Sequence, residues 1–488
     1  MIAGLSKTKR WLTLTVFFSF ILFFPSLFTF YTNDDFFFLR ISRANSFGDF
    51  LNFFRLTAGP EGLGVYRPLT TQAFYFLGNW AFKMNPLSLH IISFITFFAL
   101  ILLIYKLAKT LGGSEYVGQI CAFLYAVSAT HFAHLYYLAT FQELGLAIFF
   151  IISVILFIKF IRQKDIKAYF FSLVSFVVTL LCKETAVVTP FVLFLVYGFM
   201  KFNKEATLKI KGFLASSLPF FLILVFYFYM RIFYYGFATG DSYIWEVSSR
   251  VVNTLFWYAL WSLNLPEMLV DFVGPGLRIN PKLFLFWSNQ IIPIFLLFAA
   301  MGIMLMILFI LLIKKLKKGK FSIFLFSLLW FTFTLVPVLF LPQHKFTFYL
   351  TLPLFGVVFA IAYGLRQSSV KKSFVVAFLA IWSILSFLSL NLTSKTHWIT
   401  QGAKIARGAY EYFSKYSENM EDPATIEFYD TSEDSQLPWS PTEVVKVALS
   451  NDNFFKVFFG SKIALYGGGD RNLETKVVKL RARQFLNY

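Results

Sequence analysis

The sequence predicts an all-α, polytopic membrane protein with a small α/β appendage at its C-terminal end. Three observations predict it. The 488 residues are 58% hydrophobic and only 14% charged, whereas a soluble domain carries about 25% charge. Several apolar runs reach the roughly 20 residues that a membrane-spanning helix needs. Runs such as "FFLILVFYFYM" and "MLMILFILLI" are continuously apolar, whereas strands of a membrane barrel alternate. Backbone groups in hydrocarbon must be paired within the segment, so such runs are helices.

Eleven spans are expected, near 11–31, 87–106, 117–136, 142–160, 168–182, 185–200, 212–233, 286–313, 321–341, 346–365 and 373–392. The first follows Lys7, Lys9 and Arg10. Its apolar core is longer than that of a cleaved signal segment, and no small-residue cleavage site follows, so it reads as a retained helix. Alternate connections differ sharply in basic residues. The N-terminus and the connections 106–116, 159–167, 201–211, 314–320 and 366–372 together hold 21 Lys and Arg. The short connections 137–141, 183–184 and 342–345 hold 0, 1 and 1. Positive residues stay on the cytoplasmic side, which places the N-terminus inside and the C-terminus outside.

Residues 1–392 then form a transmembrane module with two long outer segments, 32–86 and 234–285. Residues 393–488 form a separate outer region with 12 basic and 12 acidic residues. Its runs "ATIEFYD" and "SKIALYGGG" look like short strands. Within the first outer segment, "FGDFLNFFRL" suits a short helix in the interface. The formal charge of +19 sits in clusters between apolar runs, which fits membrane topology and not a nucleic-acid partner. Cys121 and Cys182 lie in or beside apolar runs, so they supply neither a disulfide framework nor a zinc site.

Projected onto this topology, the polar residues gather at the outer face. Asp34 and Asp35 follow span 1, in "YTNDDFFFLR", and Arg67 lies in the first outer segment. His131, His134, Gln142 and Glu143 flank the connection between spans 3 and 4. Lys183 and Glu184 form the next outer turn, Arg231 ends span 7, and His344 and Lys345 join spans 9 and 10. Ionisable groups at the edge of the apolar region are costly and mark function. Carboxylates beside cations at a membrane surface suit a sugar carried on a polyprenyl phosphate. Cations stabilise charge on the leaving phosphate, and a carboxylate takes the proton of an acceptor hydroxyl or holds a divalent metal. The three phenylalanines after Asp35 are expected to hold the acidic pair at the depth of a lipid phosphate. The same residues also have plain structural readings. The acidic pair suits a helix end, His131 and His134 suit satisfied bundle histidines, Lys183 and Glu184 an ion-paired turn, and Arg231 and Lys345 snorkelling helix ends.

At these residues the chain resembles the integral-membrane glycosyltransferases of the GT-C superfamily, and most of all the dolichyl-phosphate-mannose protein mannosyltransferases and their bacterial relatives. The resemblance is carried by "NDDFFFL", "YRPLTTQAFYFLGNWAFKMNPLSLHIISF", "THFAHLYYLATFQELGLAIFF", "CKETAVVTPFVLF" and, more weakly, "HKFTFYLTLPLFG". These run in the expected order from about residue 10 to 365. The chain departs from the pattern with Phe132 where a Pro is usual, with Gln142 where an Arg is usual, and with His344 and Lys345 in place of an acidic-Arg pair. The resemblance implies a GT-C-like fold and inverting transfer of a hexose or mannose to a protein, lipid or glycan acceptor, on the outer side of the plasma membrane. It implies Asp34 as the favoured base, with Asp35 orienting it or sharing a metal to which His131 could also contribute. Arg67, Lys183, Arg231 and Lys345 become phosphate contacts, with Glu184, Glu143, His131 and His344 in support. The alternatives in other classes are a transporter or flippase of lipid-linked glycans, and a non-catalytic relative that acts as a binding protein.

Overall fold

The computed structural model describes residues 6–56, 66–236, 243–274, 278–315, 321–418, 423–437, 439–466 and 476–486. Among these, eight helices are long and apolar enough to cross a membrane. They are Lys7–Phe28, Pro86–Gly112, Leu138–Gln163, Glu184–Phe202, Ile210–Tyr235, Lys282–Lys315, Ser322–Leu339 and Lys372–Thr396. The chain is thus an all-α polytopic membrane protein. The expected spans 168–182 and 346–365 fall on the shorter apolar helices Ile166–Cys182 and Pro353–Gln367.

The expected span 117–136 differs most from the sequence pattern. Helix ends after Ala126, and two short turns, Ala129–His131 and Phe132–Tyr136, carry the chain onward. The break has a polar cause. The Ser128 hydroxyl donates to Asn264 Oδ1 at 2.8 Å, and the Ala129 N–H donates to the same oxygen at 2.8 Å. Asn264 comes from the second outer segment, so no local periodicity could reveal this exchange of helical hydrogen bonds for a tertiary one.

Local chemistry sets other helix ends. Pro86, Pro190 and Pro353 stand in the first turns of their helices, where a missing N–H costs nothing. Asn85 caps the first of these by accepting from the Leu87 N–H, and Gly113, at φ +60°, closes it. The basic ends of the helices meet one another: Arg366 donates to the Gly112 carbonyl, Lys315 to that of Ser368, and Arg162 pairs with Glu205. The acidic pair lies at the other end of the bundle. Apolar side chains such as Phe171, Phe226, Leu296 and Ile313 are exposed along the helices, which is the surface a bilayer would cover. In the first outer segment, Phe47–Asn52 is a short helix closed by a Ser46–Asp49 capping box, with Phe47 and Leu51 exposed.

The C-terminal region opens with the amphipathic helix Trp398–Glu418, which buries Ile399, Gly402, Ala403, Ala406, Ala409 and Phe413 along one face. Three parallel strands follow. Ala424–Tyr429 is central, flanked by Ile463–Leu465 and Lys476–Arg481. The first two lie on the runs read as strand-like. Short helices Pro441–Ala448 and Asn453–Phe458 complete an α/β unit.

This unit packs on the acidic turn. Phe36 is fully buried and meets Phe454 edge-on at 5.2 Å and Phe458 at 6.0 Å. Arg43 donates to the Val457 carbonyl at 2.8 Å. The Phe run after Asp35 was expected to seek the membrane. Its buried members, Phe36 and Phe38, instead pack against the C-terminal unit and against Tyr75. A buried protein surface satisfies an aromatic run as well as lipid does, and only tertiary structure distinguishes the two.

Candidate functional site

The first helix leaves the bundle through a Pro25-containing turn, Phe24–Phe28. His90 anchors the extended segment that follows. Its ring nitrogens lie 3.0 Å from the Thr29 carbonyl oxygen and 2.9 Å from that of Leu135. At Asn33 the backbone turns sharply, with φ +49° and ψ −122°, and the helix Asp34–Ile41 begins. Adjacent helical residues point about 100° apart, so the two carboxylates must have different surroundings.

Asp35 is buried. Its Oδ1 accepts from the Tyr75 hydroxyl at 2.5 Å and its Oδ2 from the Thr32 N–H at 2.9 Å. Burial pushes its carboxyl up to about 7, with the Tyr75 hydrogen bond opposing the shift. Asp34 keeps open surface although protein atoms crowd its other sides. Its N–H donates to the Tyr137 hydroxyl at 3.1 Å. Burial raises the Asp34 carboxyl above the ordinary range, and Tyr137 and Arg67 moderate the rise. One acid is therefore built into the scaffold, and the other faces outward within electrostatic reach of Arg67.

Arg67 precedes a wide turn, Pro68–Gln72, which Thr70 ties to the C-terminal end of the Ile166–Cys182 helix by donating to the Cys182 carbonyl at 2.6 Å. That tie brings Arg67 to Glu184. Its Nε donates to Glu184 Oε2 at 2.7 Å, its Nη2 reaches Oε1, and its Nη1 donates to Gln142 Oε1 at 2.5 Å. Burial alone would lower the Arg67 pKa, but Glu184 raises it further, so the guanidinium is charged at every working pH. Gln142 serves as an acceptor for the guanidinium.

Lys183 pairs with Glu143 in a site where both side chains are almost wholly buried. Its ammonium also lies 4.7 Å from the Tyr349 ring centre and 5.6 Å from that of Phe348, a cation–π arrangement. Arg231 is buried at the end of its helix, within electrostatic reach of Glu184. Arg67, Lys183 and Arg231 all line a cavity of about 640 Å³. Val187, Phe191, Phe228, Phe333 and Val336 form much of its apolar lining, with the rings of Tyr227, Tyr243 and Tyr349 beside them. Three cations stand there near the carboxylates of Glu143 and Glu184.

Several other sequence-selected residues do not line this cavity. Lys345 donates to Asn253 at 3.3 Å, and it lies within reach of Asp271. The His344 ring lies 4.3 Å from the Tyr243 ring, tilted by 34°. Burial, with Lys183 and Arg67, lowers His344 to about 4, which leaves the ring neutral. His131 and His134 are satisfied inside the bundle. His131 Nε2 is 2.9 Å from the Tyr125 carbonyl oxygen, its Nδ1 is 3.4 Å from His134 Nδ1, and His134 Nε2 is 3.0 Å from the Phe348 carbonyl oxygen. The Asp35 carboxylate oxygens and the His131 ring nitrogens each have a protein partner. Among the described residues no group of three His, Cys, Asp or Glu forms a metal-binding arrangement.

Sequence reasoning did not single out the aromatic hydroxyls. Tyr243 lies within electrostatic reach of Arg67, Asp34 and Glu184 and lines the cavity beside Tyr349. Tyr137 touches Asp34. In a chain with 24 Tyr and 68 Phe, an aromatic residue at an outer turn carries no signal of its own. Neither a protein-family model nor a curated protein sequence matches this chain.

Proposed function

We propose that the protein moves a sugar from a polyprenyl-phosphate donor to an acceptor hydroxyl, with Asp34 as the general base. One observation carries the reading. The open carboxylate lies within reach of Arg67, and Arg67 lines, with Lys183 and Arg231, a cavity whose lining is largely apolar and aromatic. An isoprenoid chain suits the apolar part of the lining, and its phosphate suits Arg67, Lys183 and Arg231. Asp34 takes the proton from the acceptor hydroxyl, whose oxygen attacks the anomeric carbon. The bond from that carbon to the phosphate oxygen breaks, and Arg67, Lys183 and Arg231 stabilise the charge that develops there. Attack opposite the leaving phosphate inverts the anomeric centre.

The raised pKa of Asp34 suits a base, because proton uptake is most effective when the pKa approaches the working pH. Asp35, held by Tyr75 and Thr32, fixes the turn from which Asp34 projects. The bias in Lys and Arg supports an arrangement with the site on the outer side of the plasma membrane. A hexose such as mannose is the proposed sugar, and a protein, lipid or glycan hydroxyl the acceptor.

The test supplies purified protein in nanodiscs with a series of polyprenyl-phosphate hexoses and candidate acceptors. Release of free polyprenyl phosphate, with an inverted product anomer seen by NMR, is expected for at least one pair. Binding of these lipids with no release for any pair would favour the non-catalytic alternative. Movement of a lipid-linked sugar across the bilayer without transfer would favour the flippase.

A further inference from the structure

A second groove lies on the far side of the segment that leads to the acidic turn. It is a cavity of about 380 Å³, and Pro25, Phe28, Phe387 and Leu390 form its apolar walls. Lys404 and Arg407, both exposed on the amphipathic helix Trp398–Glu418, stand at its edge. The walls come from the outer ends of the helices Lys7–Phe28 and Lys372–Thr396, and Phe28 and Phe387 turn more than half of their surface outward.

The cations at this groove differ from those around Glu184. Arg67 and Lys183 each have a carboxylate partner. Arg407 donates to the Phe28 carbonyl at 2.7 Å and lies over the Phe30 ring, with no carboxylate in salt-bridge contact among the described residues. Lys404 has neither a hydrogen bond nor an ion pair among the described residues, although Asp271 lines the neighbouring groove that Lys404 also borders. An unpaired lysine at the rim of an apolar groove, where a helix bundle meets an outer helix, offers its charge to whatever fills the groove. The combination complements a lipid whose head group carries a phosphate and a net negative charge.

We infer that this groove binds an anionic phospholipid of the outer leaflet, with the head-group phosphate at Lys404 and Arg407 and an acyl chain along Phe28, Phe387 and Leu390. The site is separate from the cavity at Arg67, so it stands whether or not the chain transfers sugar. A bound lipid would bridge the bundle and the helix that carries the C-terminal unit, and so hold that unit against the acidic turn.

The experiment compares retention of phosphatidylglycerol and phosphatidylcholine by native mass spectrometry of the full chain. Wild type is compared with Lys404→Gln, Lys404→Arg and Asn391→Trp. Lys404 has no hydrogen-bond or ion-pair partner to lose among the described residues, and Asn391 is an exposed lining residue, so these variants are expected to fold. Wild type should prefer phosphatidylglycerol. Lys404→Gln should cut that preference about fivefold, the effect of one basic residue at an anionic surface, and Lys404→Arg should restore it. Asn391→Trp should reduce retention of the lipid without altering charge. Equal retention of the two lipids by wild type, or an unchanged preference in Lys404→Gln, would overturn the proposal. Displacement of the lipid by millimolar inorganic phosphate would also overturn it, because the acyl chain would then contribute nothing.

Discussion

The backbone N–H of Asn33 donates to the carbonyl oxygen of Ala448 across 2.9 Å. The residue just before the exposed acid is thereby held by the C-terminal unit. The Thr32 hydroxyl reaches the same carbonyl at 3.4 Å and donates to Asn33 Oδ1 at 2.7 Å. A non-glycine residue at positive φ costs about 1–3 kcal/mol and persists only where its surroundings enforce it. Here the enforcing neighbours come from the opposite end of the chain. The C-terminal unit is therefore part of the wall that aims Asp34.

Gly402 tests that aim. A Cβ at this position would stand 2.4 Å from Thr32 Oγ1 and 3.1 Å from Asn33 Oδ1. Gly402→Val should push the turn away and lower the turnover rate while donor affinity holds, because the cavity at Arg67 is untouched. Overpacking of this kind costs about 1–3 kcal/mol, so a modest fall in melting temperature is expected with it. Unchanged turnover would show that the C-terminal contact does not position the acid.

The buried pair of Lys183 and Glu143 answers to a double-mutant cycle. Lys183→Met leaves the Glu143 carboxylate buried and alone, which costs about 3–5 kcal/mol. The double variant Glu143→Met/Lys183→Met should recover most of that stability in detergent melts and none of the activity. Recovery of activity together with stability would remove Lys183 from the phosphate contacts.

Arg67→Lys keeps the charge and loses the fork. The two-pronged grip on Glu184 and the bond to Gln142 cannot all be made by an ammonium group. Loss of one charged hydrogen bond, about 1.5–3 kcal/mol, corresponds to a roughly tenfold or greater weakening of donor binding. Titration with a non-transferable polyprenyl-phosphate analogue reads this directly. Equal affinity in the variant would place the phosphate away from Arg67.

The pH dependence of stability should carry the mark of Asp35. Its carboxyl is raised to about 7 from an ordinary 3.8, chiefly by burial, so the folded state holds the proton more tightly than the unfolded chain does. The stability this supplies is complete below about pH 4 and is lost as pH rises through 7. Melting temperatures between pH 4 and 8 should show this decline in wild type. Asp35→Asn should lack it, because an amide does not titrate in this range. The same decline in both proteins would assign it to other groups.

Much of the architecture was legible because lipid imposes a simple requirement, long apolar helices with polar ends. Each expected span falls on a helix of the bundle, although the run 117–136 conceals a break that Asn264 creates from a distant segment. At the site, Asp34, Arg67, Lys183 and Glu184 were legible because charge at an apolar edge is conspicuous. The pairing was not. Arg67 meets Glu184 and Lys183 meets Glu143 through turns separated in sequence, and short-range spacing carries no record of such contacts. Lys345 illustrates the converse: it lies in an expected outer turn, yet Asn253 draws it away from the cavity.

The most direct test is the single-turnover rate of sugar transfer by Asp34→Asn, measured beside donor binding. An amide keeps the shape of the side chain and cannot take a proton. The predicted result is a transfer rate reduced about 100-fold or more, the usual contribution of a positioned base, with donor affinity within a few-fold of wild type. A transfer rate equal to wild type in Asp34→Asn would contradict the assignment of Asp34 as the base.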